Sequence, residues 1–160
     1  MRHSRFLTGL ILLLPVLLAG CGKETTQPAG FGGLSNTRIE VVRHQDPEQI
    51  GRGKAVFRQH CAECHGANGE ATPNWRIPGA DGRYPPPPLD GSAHAWHHPM
   101  AVLRDVIKHG SPNGQGNMPA WEGKLSDREI DDVIAWFQSL WDDQTYAAWH
   151  RLDQNARTQM

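Results

Sequence analysis

Apolar residues recur at helical spacing in two stretches of the 160-residue chain. One stretch covers residues 97–109, with Pro99 near its start and Gly110 after its end. The other begins at Ser126, which forms the pattern of a capping box with Glu129. The apolar positions are Val102, Leu103, Val106 and Ile107 in the first stretch, and Ile130, Val133, Ile134, Phe137, Leu140 and Trp141 in the second. Both patterns predict helices with one buried face.

A third helix is predicted from residue 47 to about residue 60. Asp46 can cap its first turn, Pro47 suits the first helical position, and Glu48 complements the helix dipole. Long loops join these three elements, since Pro and Gly are frequent between them. The sequence therefore predicts an all-α domain with three main helices.

The N-terminus has the pattern of a targeting segment. Arg2 and Arg5 precede an apolar run from Leu7 to Leu18, which is shorter than the ~20 residues that span a bilayer. The ending Leu18-Ala19-Gly20-Cys21 resembles a bacterial lipobox. We therefore expect a lipoprotein signal peptide at residues 1–20 and lipidation at Cys21. The alternatives are an ordinary signal peptide with an incidental cysteine, or an uncleaved anchor.

Residues 21–46 follow as a lipid-anchored flexible tether, because Gly, Thr, Gln and Pro dominate their first half. Charge adds one exclusion. The 16 basic and 17 acidic residues give a formal net charge of −1, and loss of residues 1–20 would make the chain more acidic. No basic footprint for nucleic acid is present.

The strongest chemical signal is Cys61-Ala62-Glu63-Cys64-His65, the C-x-x-C-H pattern of c-type haem attachment. Two thiols at this spacing can add to the two vinyl groups of one haem, and the next imidazole then lies beneath the iron. A thioredoxin-like redox pair and half of a four-cysteine zinc site are alternatives. The first lacks its βαβ context, and the second lacks another C-x-x-C.

With these motifs in order, residues 47–141 resemble a class I monohaem cytochrome c domain, so a cytochrome c-like fold around one covalent haem c is expected. The resemblance implies that Gly53 and Phe57 pack the first helix across the last. It also implies that Pro87, in the run Pro85-Pro86-Pro87-Pro88-Leu89, accepts a hydrogen bond from the ring of His65. A polyproline II segment for partner binding is the alternative for this run.

The Gly-rich loop that ends in Met118-Pro119 resembles the distal loop of that family, which makes Met118 the expected second iron ligand. Met100 is the competing methionine, although it precedes a helical stripe and suits packing. Trp121 is expected near the haem or one of its propionates, since its indole N–H can donate.

Three histidines and a methionine cluster at His94, His97, His98 and Met100. This cluster could bind copper or zinc, or it could be a solvent-exposed capping segment, which we favour. Residues 142–160 extend past the resembling domain. Tyr146, Trp149 and Leu152 suggest one or two amphipathic turns there, with a frayed end from residue 154.

The predicted function is one-electron transfer by a His/Met-ligated haem on the periplasmic side of the cell envelope. The expected partners are redox proteins and, through the lipid anchor, a membrane. A protein of this kind is an electron carrier and not an enzyme. The alternatives are a haem-based sensor or peroxidase-like enzyme, and a copper-handling envelope lipoprotein that uses the histidine cluster.

Overall fold

The computed structural model describes residue 43 and residues 45–159, all within the unit Arg38–Met160. The predicted signal peptide, Cys21 and most of the predicted tether lie outside the described residues. Within them the chain forms five α-helices: α1 Pro47–His60, α2 Ala62–His65, α3 Met100–His109, α4 Asp127–Ser139 and α5 Asp143–Thr158. The described residues contain isolated β-bridges and no strand. The all-α prediction is confirmed.

Helices α1 and α4 begin where the sequence predicts. The Asp46 carboxylate accepts the N–H of Glu48 at 2.9 Å, and Pro47 occupies the first turn. Ser126 and Glu129 form the complete capping box, in which each side chain accepts the other residue's backbone N–H. These local hydrogen bonds satisfy N–H groups that a helix start leaves unpaired.

The core is centred on the crossing of α1 with α4. A Cβ on Gly53 would overlap the backbone carbonyl of Asp132, so only glycine permits this approach. Phe57 is 0% exposed, and its ring lies 4.1 Å from that of Trp136. Arg52 adds an ion pair with Asp132 at 2.8 Å. The crossing therefore fixes the C-terminal end of α1, from which the cysteine motif continues.

Helix α3 starts later than predicted, at Met100 and not at residue 97. A separate 3-10 turn spans Ala95–His97, and His98 is extended with φ −112° and ψ 130°. The reason is Pro99, because the residue before a proline is disfavoured in the helical region. Pro99 also has no side-chain oxygen with which to cap α3.

The C-terminal segment forms far more helix than predicted. Helix α5 has 16 residues and continues to Thr158, so the expectation of fraying from residue 154 is wrong. Asp142 caps it by accepting the N–H of Thr145 at 2.7 Å. Trp149 anchors it in the core, with its ring centroid 6.0 Å from that of Trp141. The domain therefore has four long helices and not three.

Arg43 lies within the predicted tether, yet its side chain is held in place. Its guanidinium donates to the carbonyls of Trp141 at 2.6 Å and Asp142 at 2.5 Å, and it pairs with Asp143 at 3.2 Å. It also lies 4.6 Å from the centre of the Tyr146 ring. The chain is thus attached to the turn between α4 and α5 before α1 begins. No helix in the described part of the chain is both long and apolar enough to cross a membrane.

Candidate haem site

The cysteine motif forms a helical turn directly after α1. Cys61 ends α1, with its N–H bonded to the Phe57 carbonyl at 2.8 Å, and α2 places Cys64 and His65 on the next turn. Neither of these cysteines forms a disulfide, and Cys61 is half-buried while Cys64 is exposed. Burial, together with the neighbouring Cys64, raises the pKa of Cys61 to about 11.

His65 is buried, at 8% exposure, and its Nδ1 lies 2.9 Å from the Pro87 carbonyl oxygen. A carbonyl can only accept, so Nδ1 carries the proton and donates it. Burial lowers the pKa of His65, and the bond to Pro87 opposes this only in part. The imidazole is therefore neutral, and its Nε2 lone pair is available for a metal. Among four prolines, the structure brings Pro87 to this position.

The proline run is packed against the domain. Pro88 is buried, and Pro85, Pro86 and Pro87 are half-buried. The Tyr84 N–H donates to the Gln115 carbonyl at 2.8 Å on one side of the run. The Leu89 N–H donates to the Gly69 carbonyl at 2.7 Å on the other side. This packing argues against a free polyproline ligand for partner proteins.

The loop that carries Met118 closes on itself. The Ser111 N–H donates to the Met118 carbonyl at 3.1 Å, and the Met118 N–H donates to the Ser111 hydroxyl at 3.0 Å. Gly110 has φ +83°, and a Cβ there would come within 2.6 Å of the Met118 carbonyl oxygen. Met118 is half-buried. Its backbone position is therefore set by Gly110 and Ser111.

Trp121 brings the end of this loop to the cysteine motif. Its ring meets the ring of His60 edge-on, with centroids 5.2 Å apart, and His60 directly precedes Cys61. The backbone N–H of Trp121 donates to the carbonyls of Ile107 and Lys108 at the end of α3. Met100, the competing methionine, packs partly buried against the core.

In the histidine cluster, the rings contact one another and a neighbouring tryptophan. The rings of His94 and His98 lie edge-on with centroids 5.7 Å apart, and Trp75 lies 5.3 Å from His94. Burial lowers the pKa of both histidines, and electrostatic repulsion from the neighbouring histidines lowers it further. Among the described residues, no group of three or more His, Cys, Asp or Glu side chains is placed to hold a metal ion.

Sequence patterns gave no indication of two residues that shape the site. Ser111 pairs with Met118, and the Trp141 indole N–H donates to the Leu89 carbonyl at 2.8 Å. A serine in a loop carries no spacing signal. Trp141 follows a helical stripe, which predicts its burial and not its hydrogen bond.

The residues present suit a covalently attached haem. Two unpaired thiols lie one helical turn apart, and a neutral, buried imidazole follows them with its Nε2 available. The partner of His65 is a carbonyl, which fixes the tautomer that an iron ligand needs. Cys61 and Cys64 would form the two thioether bonds, and His65 would ligate the iron.

Comparisons with known proteins agree with this chemistry. Residues 48–137 match the family described as cytochrome c oxidase, cbb3-type, subunit III. The cbb3-type oxidase subunit FixP of Azorhizobium caulinodans is 32% identical over 126 residues, which are 73% of this chain and 39% of that protein. Cytochrome c6 of Euglena viridis is 33% identical over 87 residues, which are 54% of this chain and 87% of that protein.

Thiosulfate dehydrogenase of Psychrobacter arcticus is 35% identical over 120 residues, which are 71% of this chain and 32% of that protein. The chain thus spans between 30% and 39% of the length of the oxidase subunits and thiosulfate dehydrogenases. No solved structure matches the chain.

Proposed function

We propose that this chain, which belongs to the c-type cytochrome family of the cbb3-type oxidase subunit III domain, carries single electrons through a haem ligated by His65 and Met118. Covalent haem c and electron transfer follow from the family itself. The ligand pair and the cellular setting are our proposal. The observation that carries it is the hydrogen bond between His65 and Pro87, next to two cysteines that form no disulfide.

Each protein group has a separate task at this site. Cys61 and Cys64 would hold the haem through two thioether bonds, with each thiol adding across one vinyl group. His65 donates a hydrogen bond from its Nδ1–H to the Pro87 carbonyl, which makes its other nitrogen a stronger ligand. When bound, the haem supplies an iron that alternates between the ferric and ferrous states.

Met118 is proposed as the residue that would supply the second protein ligand to the iron. Its backbone is held by Ser111, so the loop supports a defined position for the side chain. A thioether is soft and uncharged, and its pairing with histidine raises the reduction potential. Two protein ligands leave no open position on the iron, which suits an electron carrier better than an enzyme.

The carrier function is tested with purified, haem-loaded protein. We expect a one-electron titration and negligible binding of carbon monoxide to the ferrous form. Tight carbon monoxide binding by the unmodified protein would instead support a sensor or a peroxidase-like enzyme. For attachment, the haem should stay on the chain during denaturing electrophoresis. The double variant Cys61→Ser/Cys64→Ser should lose all haem staining, while a Cys21→Ser variant should keep it.

The setting we propose is the periplasmic side of the bacterial envelope, with lipid attached to Cys21 and a redox protein as partner. The apolar run before Cys21 supports this, and two acyl chains bind a membrane firmly where one is marginal. Relatives named as cbb3-type oxidase subunits and thiosulfate dehydrogenases make a respiratory oxidase or an envelope dehydrogenase the proposed class of partner. Cys21→Ala should release the protein from the membrane fraction. Unchanged partitioning of that variant would place the anchor elsewhere.

A further inference from the structure

The position of the Pro87 carbonyl cannot be fixed by hydrogen bonds donated from its own run. Residues 85–88 are all proline and have carbonyls but no N–H groups. Their position therefore depends on packing and on the residues that flank them. Leu89 supplies the first backbone N–H after the run, and that group donates to Gly69 at 2.7 Å.

Hydrogen bonds from other parts of the chain hold three consecutive peptide groups, beginning with the Pro87 carbonyl. The Pro87 carbonyl accepts from His65, the Leu89 N–H donates to Gly69, and the Leu89 carbonyl accepts the indole N–H of Trp141 at 2.8 Å. Gly69 is four residues after His65, so the first two bonds close a ring through the chain. Trp141 supports that ring from the end of α4.

The Trp141 indole is itself held firmly. It is 2% exposed, and its ring centroid lies 5.9 Å from that of Phe137 and 6.0 Å from that of Trp149. Gly91, with φ +96°, leaves room for it, because a Cβ there would come within 3.1 Å of the indole. Loss of its acceptor would leave a buried N–H unpaired, which costs free energy. The hydrogen bond therefore fixes the Leu89 carbonyl relative to Trp141.

We propose that Trp141 is a positioning residue for the proximal iron ligand. Its indole fixes the Leu89 carbonyl, and this keeps the Pro87 carbonyl within reach of His65 Nδ1. The strength of the hydrogen bond between His65 and Pro87 sets the electron density on His65, and with it the reduction potential. This inference rests on the proposed function, in which His65 ligates the iron.

Trp149 offers a matched control. It is also a buried tryptophan, at 6% exposure, and its indole also donates to a backbone carbonyl, that of His98 at 3.0 Å. His98 is eleven residues from Pro87 and lies at the far end of the same connecting segment. Trp149→Phe removes this hydrogen bond but keeps an aromatic ring beside Trp141. It should cost comparable stability without reaching His65.

The experiment compares haem-loaded Trp141→Phe and Trp149→Phe with the unmodified chain. Exchange of the His65 Nδ1 proton is followed by NMR in the ferrous protein, and the reduction potential is measured by titration. In Trp141→Phe we expect exchange up to about tenfold faster, as befits the loss of support worth one ordinary hydrogen bond. The potential should rise, because a weaker Nδ1 bond makes histidine a poorer donor to ferric iron.

Trp149→Phe should leave both quantities at their original values while lowering the melting temperature by a similar amount. Equal shifts in the two variants would overturn the inference, since Trp141 would then act only through general stability. Unchanged exchange and potential in Trp141→Phe would overturn it as well, with the proposed function left standing. An unmodified chain without covalent haem would overturn the proposed function and this inference with it.

If Trp141→Phe fails to fold, benzothienylalanine placed at position 141 by codon suppression answers the same question. This residue keeps the bicyclic shape and lacks the N–H. It should reproduce the faster exchange and the higher potential. Exchange and potential identical to those of the tryptophan protein would overturn the inference.

Discussion

The proximal and distal sides of the candidate haem site are built differently. His65 is buried, and it follows a helix that is locked to α4 at Gly53. Met118 is half-exposed in a loop that hydrogen bonds hold at Ser111. The core therefore fixes the proximal side, while loop geometry fixes the distal side. Disturbing the distal ligand should change the chemistry and spare the fold, whereas disturbing the crossing behind His65 should cost the fold itself.

The largest effect is expected from Met118→Ala. The variant should remain folded, lose the methionine–iron charge-transfer band of the ferric protein, and bind carbon monoxide in the ferrous form. Its potential should fall, because methionine–histidine ligation raises the potential. Absorption spectroscopy and redox titration check this. Met100→Ala is the control and should do none of these things. Loss of the band in Met100→Ala alone would show that the wrong methionine was assigned.

The next effect concerns stability on the proximal side. Gly53→Ala places a methyl group against the Asp132 carbonyl and should lower the free energy of unfolding by about 3 kcal/mol. Gly51→Ala is the matched control in the same helix, where a Cβ meets nothing within 4 Å. It should stabilise the protein by roughly 0.5–1 kcal/mol, because alanine favours a helix over glycine. Denaturant unfolding distinguishes the two, and equal values would remove the tight crossing from the explanation.

A smaller, local effect is expected from Gly110→Ala on the distal side. The new methyl group would press on the Met118 carbonyl at a backbone position of positive φ that favours glycine, at a cost of about 1–3 kcal/mol. The methionine–iron band should weaken or shift. Gly114→Ala has the same kind of backbone strain, with φ +68°, but open space around its Cβ. It should cost stability and leave the band unchanged.

The smallest effect is a pH dependence of the distal loop. Asp81 accepts the N–H of Arg83 at 3.0 Å and the amide of Asn117 at 3.3 Å, and these bonds lower its pKa from the ordinary value of 3.8. Because the pKa of Asp81 is lowered in the folded state, its ionised carboxylate stabilises the loop above about pH 4. That stabilisation is lost as the pH falls through the pKa of the folded protein. The band should therefore weaken in acid.

Asp81→Asn tests this directly. It removes the charge while keeping the size of the side chain, so the acid response of the band should be smaller than in the unmodified protein. Other carboxylates titrate in both proteins and cancel in the difference. Identical acid profiles would show that Asp81 gives the loop no support.

Features that depend on residues close together in the sequence could be predicted from it. The Asp46 cap and the capping box at Ser126 each join residues only a few positions apart, and both form as predicted. The choice of Pro87 among four prolines depended on a family resemblance, and the fold then brought that carbonyl to His65.

Long-range partners could not be read in the same way. The length of α5 was missed because its anchors are Trp149 and Asp153, whose acceptor and donor are more than fifty residues earlier. Asp153 looks like an ordinary exposed helix residue in the sequence. Its burial follows only from packing of α5 beside the start of α3. Tertiary contacts of this kind leave no local pattern.

Asp153 also bears on the order in which the chain can close. It is 2% exposed, and its carboxylate accepts the N–H of Met100, 53 residues earlier. This N–H lies at the start of α3, which Pro99 cannot cap. The cysteine motif and the group that completes α3 therefore lie far apart along the chain. Until Asp153 reaches α3, the helices cannot all be in place, since domains generally fold as units. We expect Cys61 and Cys64 to be accessible to haem during that interval, before the core closes.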